Sequence, residues 1–354
     1  MRGGRATVFI AGDGRAAHVG ADNRGGQSRR PTGDRPEGVI AVRDEGSRTI
    51  AAVRLPRLSP RAYQRIVLLA LITLVVIVVT GAAVRLTGSG LGCSDWPTCN
   101  DTRIVADMGN THARIEFLNR LFTGAVSLAV IAAVLGSFLR VPRRKDLTRW
   151  SLGLVLVVVG NAVLGGITVL THLTPEIVAA HFLLSIYLIW NGVVLYERAG
   201  HDGSPGLPLV PARIRTLAGV LVGTALLVLV TGTVVTGTGP HGGDPDVDRL
   251  PFDITAVARL HSLCTWLFLA LTVWTLVELR RSGTPPQVDQ RAKLLVGAIV
   301  VQGAIGYTQY FTGVPPWLVV LHVLGSTLVW IAVLEFFMSL TARPVEVPAR
   351  QTVS

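Results

Sequence analysis

The stretches TGAAVRLTGSG (80–90) and TGTVVTGTG (231–239) each end the first apolar run of their own half of the chain. Further matches follow at regular places. IEFLNRL (115–121) aligns with VARLHSL (257–263), which sets Asn119 opposite His261. Pro175 precedes His181 by six residues, and Pro316 precedes His322 by six. Leu164-Gly165 and Ile305-Gly306 each stand sixteen residues before those histidines, counted from the glycine. The chain therefore reads as an internal repeat.

A membrane-spanning helix needs about 20 mostly apolar residues. Eight stretches meet or approach this: roughly 66–86, 116–139, 151–171, 177–196, 216–236, 257–278, 294–311 and 317–338. Four spans per half put both halves in the membrane in the same sense, a parallel repeat about an axis along the membrane normal. The expected fold is all-α: a polytopic membrane protein whose eight transmembrane helices form two pseudo-symmetric four-helix bundles, 61–200 and 201–340. Only 16% of the 354 residues are charged and half are hydrophobic, which excludes an ordinary soluble globule. The net charge of +11 on so apolar a body points to membrane lipid as partner, with no nucleic acid. Of the 33 Lys and Arg, 27 fall on one side if both termini are cytoplasmic. A multi-pass protein of the cell membrane with both ends inside is the expectation.

Residues 1–60 are rich in Gly, Arg, Asp and Ser and carry no apolar period. They are expected to be a disordered cytoplasmic tail and not a secretory signal, because the first apolar run begins only near Ile66. Residues 341–354 are read as a second cytoplasmic tail.

Three of the eight histidines, His181, His261 and His322, fall inside spans at one depth near the outer face. Polar side chains in hydrocarbon are costly and face a bundle interior. One such histidine reads as a hydrogen bond to a neighbouring helix. Three at one depth, two of them at matching repeat positions, read as metal ligands, and neutral imidazole binds iron well. His261 and His322, on the second and fourth helices of one bundle, suit the two axial positions of a haem. Gly160, Gly165, Gly166, Gly303 and Gly306 would admit a flat macrocycle or simply a neighbouring helix. The first bundle offers His181, Asn119 and, one turn before Asn119, Glu116. Glu116 reads either as a solvated helix start or as a functional acid. Arg85, Arg120 and Arg259 read as partners for carboxylates or as interfacial anchors. Cys93 and Cys99 lie in an outer loop, where a disulfide is permitted, while Cys264 reads as packing.

Together, VTGAAVRLTGSGLGCSDWPTC (79–99), IEFLNR (115–120), the two P-x5-H segments and RLH (259–261) resemble haem A synthase in its bacterial form, over roughly residues 62–340. The resemblance implies a membrane oxidoreductase that converts haem o to haem A for cytochrome oxidase. It does so by two hydroxylations of the C8 methyl and loss of water, leaving a formyl group. It implies a haem b cofactor on the iron ligands His261 and His322, and haem o as substrate in the first bundle. There the family's Glu-x-x-His and later His fall on Glu116, Asn119 and His181, with Glu116 as the catalytic residue. Cys93 and Cys99 match its cysteine pair, implying a disulfide near the active site. A haem o synthase and an electron donor are the implied protein partners.

The chain departs from the pattern at Asn119, and an amide is a poor iron ligand. His181 alone, His181 with help from another residue, or an Asn119 that only positions Glu116 all remain open. Two rival functions share parts of this pattern. One is a bis-histidine b-type cytochrome carrying electrons to or from quinone. The other is a transporter, which the outer placement of all three histidines disfavours.

Overall fold

The computed structural model describes residues 57–344 apart from 102 and 284, and four two-residue strands before them. The chain divides into two compact units, 1–57 and 58–354. In the first, β1 (Thr7–Val8) pairs antiparallel with β3 (Val42–Arg43), and β2 (Val39–Ile40) with β4 (Val53–Arg54). Residues 57–60 of the expected disordered tail are ordered, with Leu58 bonded to Leu139 and Val141 and Pro60 opening a helix; the rest of that tail lies outside the described residues.

The second unit contains eight helices long and apolar enough to cross a membrane. They are α1 (Pro60–Leu86), α2 (Thr111–Leu139), α3 (Lys145–Leu170), α4 (Pro175–Ala199), α5 (Ala212–Thr238), α6 (Ile254–Arg281), α7 (Pro286–Phe311) and α8 (Pro316–Ser339). Most begin several residues before the apolar runs, because capping chemistry carries the helix through polar sequence. Ser59 accepts from the Ala62 amide, Asn110 from His112 and Ala113, and Asp253 from Ala256. Prolines open α4, α7 and α8 at positions that need no amide donor. The polar first turns of α7 are held by Lys293 on Asp289 at 2.5 Å.

Within each half the helices pack in a closed ring, α1–α2–α3–α4 and α5–α6–α7–α8. The halves meet through α1 with α8, α4 with α5, and α4 with α8. At that seam the Trp330 indole donates to the Ile186 carbonyl at 3.1 Å. Such a bond between membrane helices contributes on the order of 1 kcal/mol. Large apolar side chains such as Leu69, Leu128, Leu156, Val301 and Phe311 stay exposed on the outer faces, as lipid contact requires. The expected C-terminal tail starts as a strand: β6 (Thr341–Ala342) pairs antiparallel with β5 (Leu207–Pro208) in the α4–α5 connection. Residues 345–354 lie outside the described residues.

Candidate functional site

In the second half, His261 on α6 and His322 on α8 face each other, ring centres 6.4 Å apart and planes at 70°. Each ring lies against a glycine of the preceding helix. A Cβ on Gly232 would come within 3.2 Å of His261 Cε1, and one on Gly306 within 3.0 Å of His322 Cε1. Each Nδ1 also has a neighbour. Thr231 Oγ1 stands 3.1 Å from His261 Nδ1 and donates its own proton to the Leu227 and Val228 carbonyls. Its lone pair is thus left to accept Nδ1–H. The Gln302 amide stands 3.0 Å from His322 Nδ1, and its Nε2 donates to the His322 carbonyl at 2.8 Å. Gly325 makes room for that amide, since a Cβ there would overlap it. Donating Nδ1–H to Thr231 fixes the His261 ring and leaves its Nε2 as the ligating nitrogen; at His322 the group beside Nδ1 is the amide nitrogen of Gln302, itself a donor.

The first half repeats the frame with different contents. His181 on α4 lies against Gly165 of α3, where a Cβ would come within 3.1 Å of Cε1. Its buried Nδ1 has no hydrogen-bond partner among the described residues, and neither has the buried Oδ1 of Asn119 on α2. Asn161, which occupies the place of Gln302 but is one methylene shorter, accepts from Ser185 instead. Gly81, the counterpart of Gly232, has nothing described within 4 Å of where its Cβ would be.

Glu116 is 5% exposed, so the reading of a solvated helix start does not hold. Its Oε2 accepts from the Cys93 amide at 2.7 Å, and its Oε1 accepts from Arg120 at 2.5 and 3.1 Å. Arg120 also donates to the Asp95 and Thr98 carbonyls at 2.9 and 2.8 Å. The guanidinium is thereby committed to α2 and the loop, and the carboxylate it pairs with is that of Glu116. The loop closes on itself as well, with the sulfurs of Cys93 and Cys99 at bonding distance, 2.02 Å. Trp96 packs over Gly166 of α3, leaving no room for a Cβ there. The loop thus roofs the end of the first bundle above His181.

Arg85 has Arg249 as its charged neighbour and no carboxylate partner among the described residues. Burial pushes the Arg249 guanidinium below its usual range. Arg259 is exposed. A cavity of about 450 Å³ opens between the α3–α4 and α5–α6 connections, lined in part by His172, Glu176, Asp246, Asp248 and Arg249. None of the three in-span histidines lines it. No cluster of three or more His, Cys, Asp or Glu suited to a bare metal ion occurs among the described residues. The histidine pair instead suits a metal whose remaining positions are filled by a macrocycle.

Sequence reasoning missed Thr231, Gln302, Gly232 and Trp96 as neighbours of these groups. The threonine-glycine pair common to both quoted repeats was the available signal. Two of the glycines it did select have no tight role. Gly303 has nothing described within 4 Å, and Gly160 meets only Leu184 at an ordinary 3.6 Å.

Comparison with known proteins adds the lineage. The chain is 27% identical to the Heme A synthase of Exiguobacterium sibiricum over 47% of its own length and 57% of that protein's. It is 32% identical to the Heme A synthase of Listeria welshimeri over 36% of its length and 42% of that protein's. With the Heme A synthase of Shouchella clausii it shares 25% identity over 67% of this chain and 83% of the relative. The matches thus span about half the length of the first two relatives. Residues 64–240, half of the chain, match the family model COX15-CtaA, described as "Cytochrome oxidase assembly protein". On that match, and on its eight membrane-spanning helices, the chain belongs to the cytochrome oxidase assembly protein family.

Proposed function

We propose that this protein is a membrane oxidoreductase that converts haem o to haem A, oxidising the C8 methyl to a formyl group for cytochrome oxidase biogenesis. The observation that carries the reading is the facing His261–His322 pair, each ring held against a glycine of the preceding helix. An imidazole nitrogen sits about 2 Å from a ligated transition metal, which puts the centres of two opposed rings about 6 Å apart. The observed 6.4 Å fits one iron between them. Haem b on His261 and His322 would supply one-electron transfer to and from the first bundle.

The first bundle is the substrate site in this reading, with His181 as iron ligand for haem o. Glu116 holds the disulfide loop in place through the Cys93 amide and Arg120, and keeps a carboxylate at the roof of that bundle. Trp96 and the Cys93–Cys99 disulfide exclude water from above. Arg85 and Arg249, near the seam of the two halves, supply positive charge for porphyrin carboxylates. The uneven spread of Lys and Arg supports termini on the cytoplasmic side and histidines near the outer face.

The test is haem extraction and chromatography of membranes in which the full chain is produced together with a source of haem o. Haem A is expected only when both are present. Haem o that stays unconverted, beside a protein carrying haem b, would leave an electron carrier as the better reading.

A further inference from the structure

We propose that the first bundle ligates its porphyrin from one side only, through His181, and that Asn119 and Gly81 keep the opposite iron face free of any protein nitrogen. The inference rests on the reading of that bundle as the haem o site and concerns how the substrate is held.

The repeat relates four helix positions in two pairs, Asn119 with His261 and His181 with His322. At three of them an imidazole lies over a glycine of the preceding helix: His181 over Gly165, His261 over Gly232 and His322 over Gly306. The fourth pairs Asn119 with Gly81. Gly81 lacks a covering group among the described residues, and the buried Asn119 Oδ1 lacks a partner. The slot for a fourth imidazole is therefore retained but unfilled. Its hydrogen-bonding group is retained too. Thr80 stands where Thr231 does, and among the described residues its hydroxyl bonds only to the Ile77 carbonyl of its own helix, at 3.3 Å.

An amide is too weak a donor to hold iron against exchange, and its side chain is shorter than the imidazole the slot was shaped for. The remaining ligand is also less constrained. His181 Nδ1 has no partner among the described residues, whereas both imidazoles of the other bundle have one. One bundle is built to retain a porphyrin, and the other to accept and release one with a coordination position accessible to a small molecule.

Carbon monoxide is the probe, because it binds ferrous haem only where an axial position is open or readily vacated. The full chain would be purified after co-production with a haem o source, and its haems identified by extraction. Carbon monoxide difference spectra of the reduced protein would then be recorded for wild type, Asn119→His and Asn119→Ala. The low-spin haem b band serves as the folding control in every sample. The wild type is expected to carry, beside haem b, haem o or the haem A made from it in a form that is high-spin and reactive. Asn119→His, with its ring over Gly81 and Nδ1 at Thr80, is expected to convert that fraction to a low-spin, unreactive form. Asn119→Ala is expected to leave it reactive.

Wild-type haem o that is already low-spin and unreactive overturns the inference. So does a shift in Asn119→Ala showing that a ligand has been lost, or a full-sized carbon monoxide signal in a folded Asn119→His. If Asn119→His loses its haem b band, the wild type and Asn119→Ala decide. A preparation that retains haem b but never haem o or haem A would bring down the functional reading itself.

Discussion

Thr231 and Gln302 touch no substrate, yet each stands at the Nδ1 of an imidazole proposed to hold haem b. Removing such outer partners while keeping the ligand lowers metal affinity about 10- to 100-fold. Thr231→Val is therefore expected to bind haem more weakly, with an unchanged low-spin band once saturated. A haem titration of this variant checks it, and wild-type affinity would show that Thr231 does not support its imidazole. Glu116 presents a different balance. Removing its carboxylate leaves the buried Cys93 amide without a partner, which costs about 1–3 kcal/mol, while Arg120 keeps its bonds to the Asp95 and Thr98 carbonyls. Glu116→Ala should release the Cys93 amide from α2, abolish haem A formation and leave haem b in place. Extracted haems showing wild-type conversion would contradict it. At this scale the histidines were legible because a polar residue inside an apolar run stands out within a single segment. Thr231 and Gln302 were not, because their partners sit on other helices and no spacing along the chain records a crossing.

The helices themselves were legible from apolar length, since hydrocarbon leaves the backbone no partner but itself. Their starts were not, because Ser59, Asn110, Asp253 and the prolines extend helix into polar sequence. What the helices need at their crossings is small residues, and the structure discriminates among glycines that composition treats alike. Gly306→Val would drive side-chain carbon into the His322 ring, and overpacking of this kind costs about 1–3 kcal/mol. It is expected to lose haem b, while Gly303→Ala, which meets nothing described within 4 Å, is expected to retain it. The absorbance of the two purified variants gives the comparison. Equal haem content would show that the close approach on α7 is incidental.

Over the whole molecule, the repeat produces two rings of four helices with one frame and two fillings. The parallel sense of the halves was legible from four spans each. The difference between them was legible only at Asn119, because the roof over the first bundle depends on a fold-back that brings Cys93 onto Glu116 and Trp96 onto Gly166. The excess of Lys and Arg at one set of connections predicts that both termini and the connections near 140–144, 200–211 and 282–285 face the cytoplasm. Reporter fusions active only outside the membrane should be silent at those positions and active near 100 and 245. The reverse pattern would invert the orientation.

Every functional statement depends on an iron held between α6 and α8. The direct measurement is the reduced-minus-oxidised spectrum of the purified full chain, beside those of His261→Ala and His322→Ala. A low-spin b-type spectrum in the wild type that disappears in both variants is the predicted result. A wild-type protein produced with ample haem that shows no such band, or variants that keep it unchanged, would contradict the account.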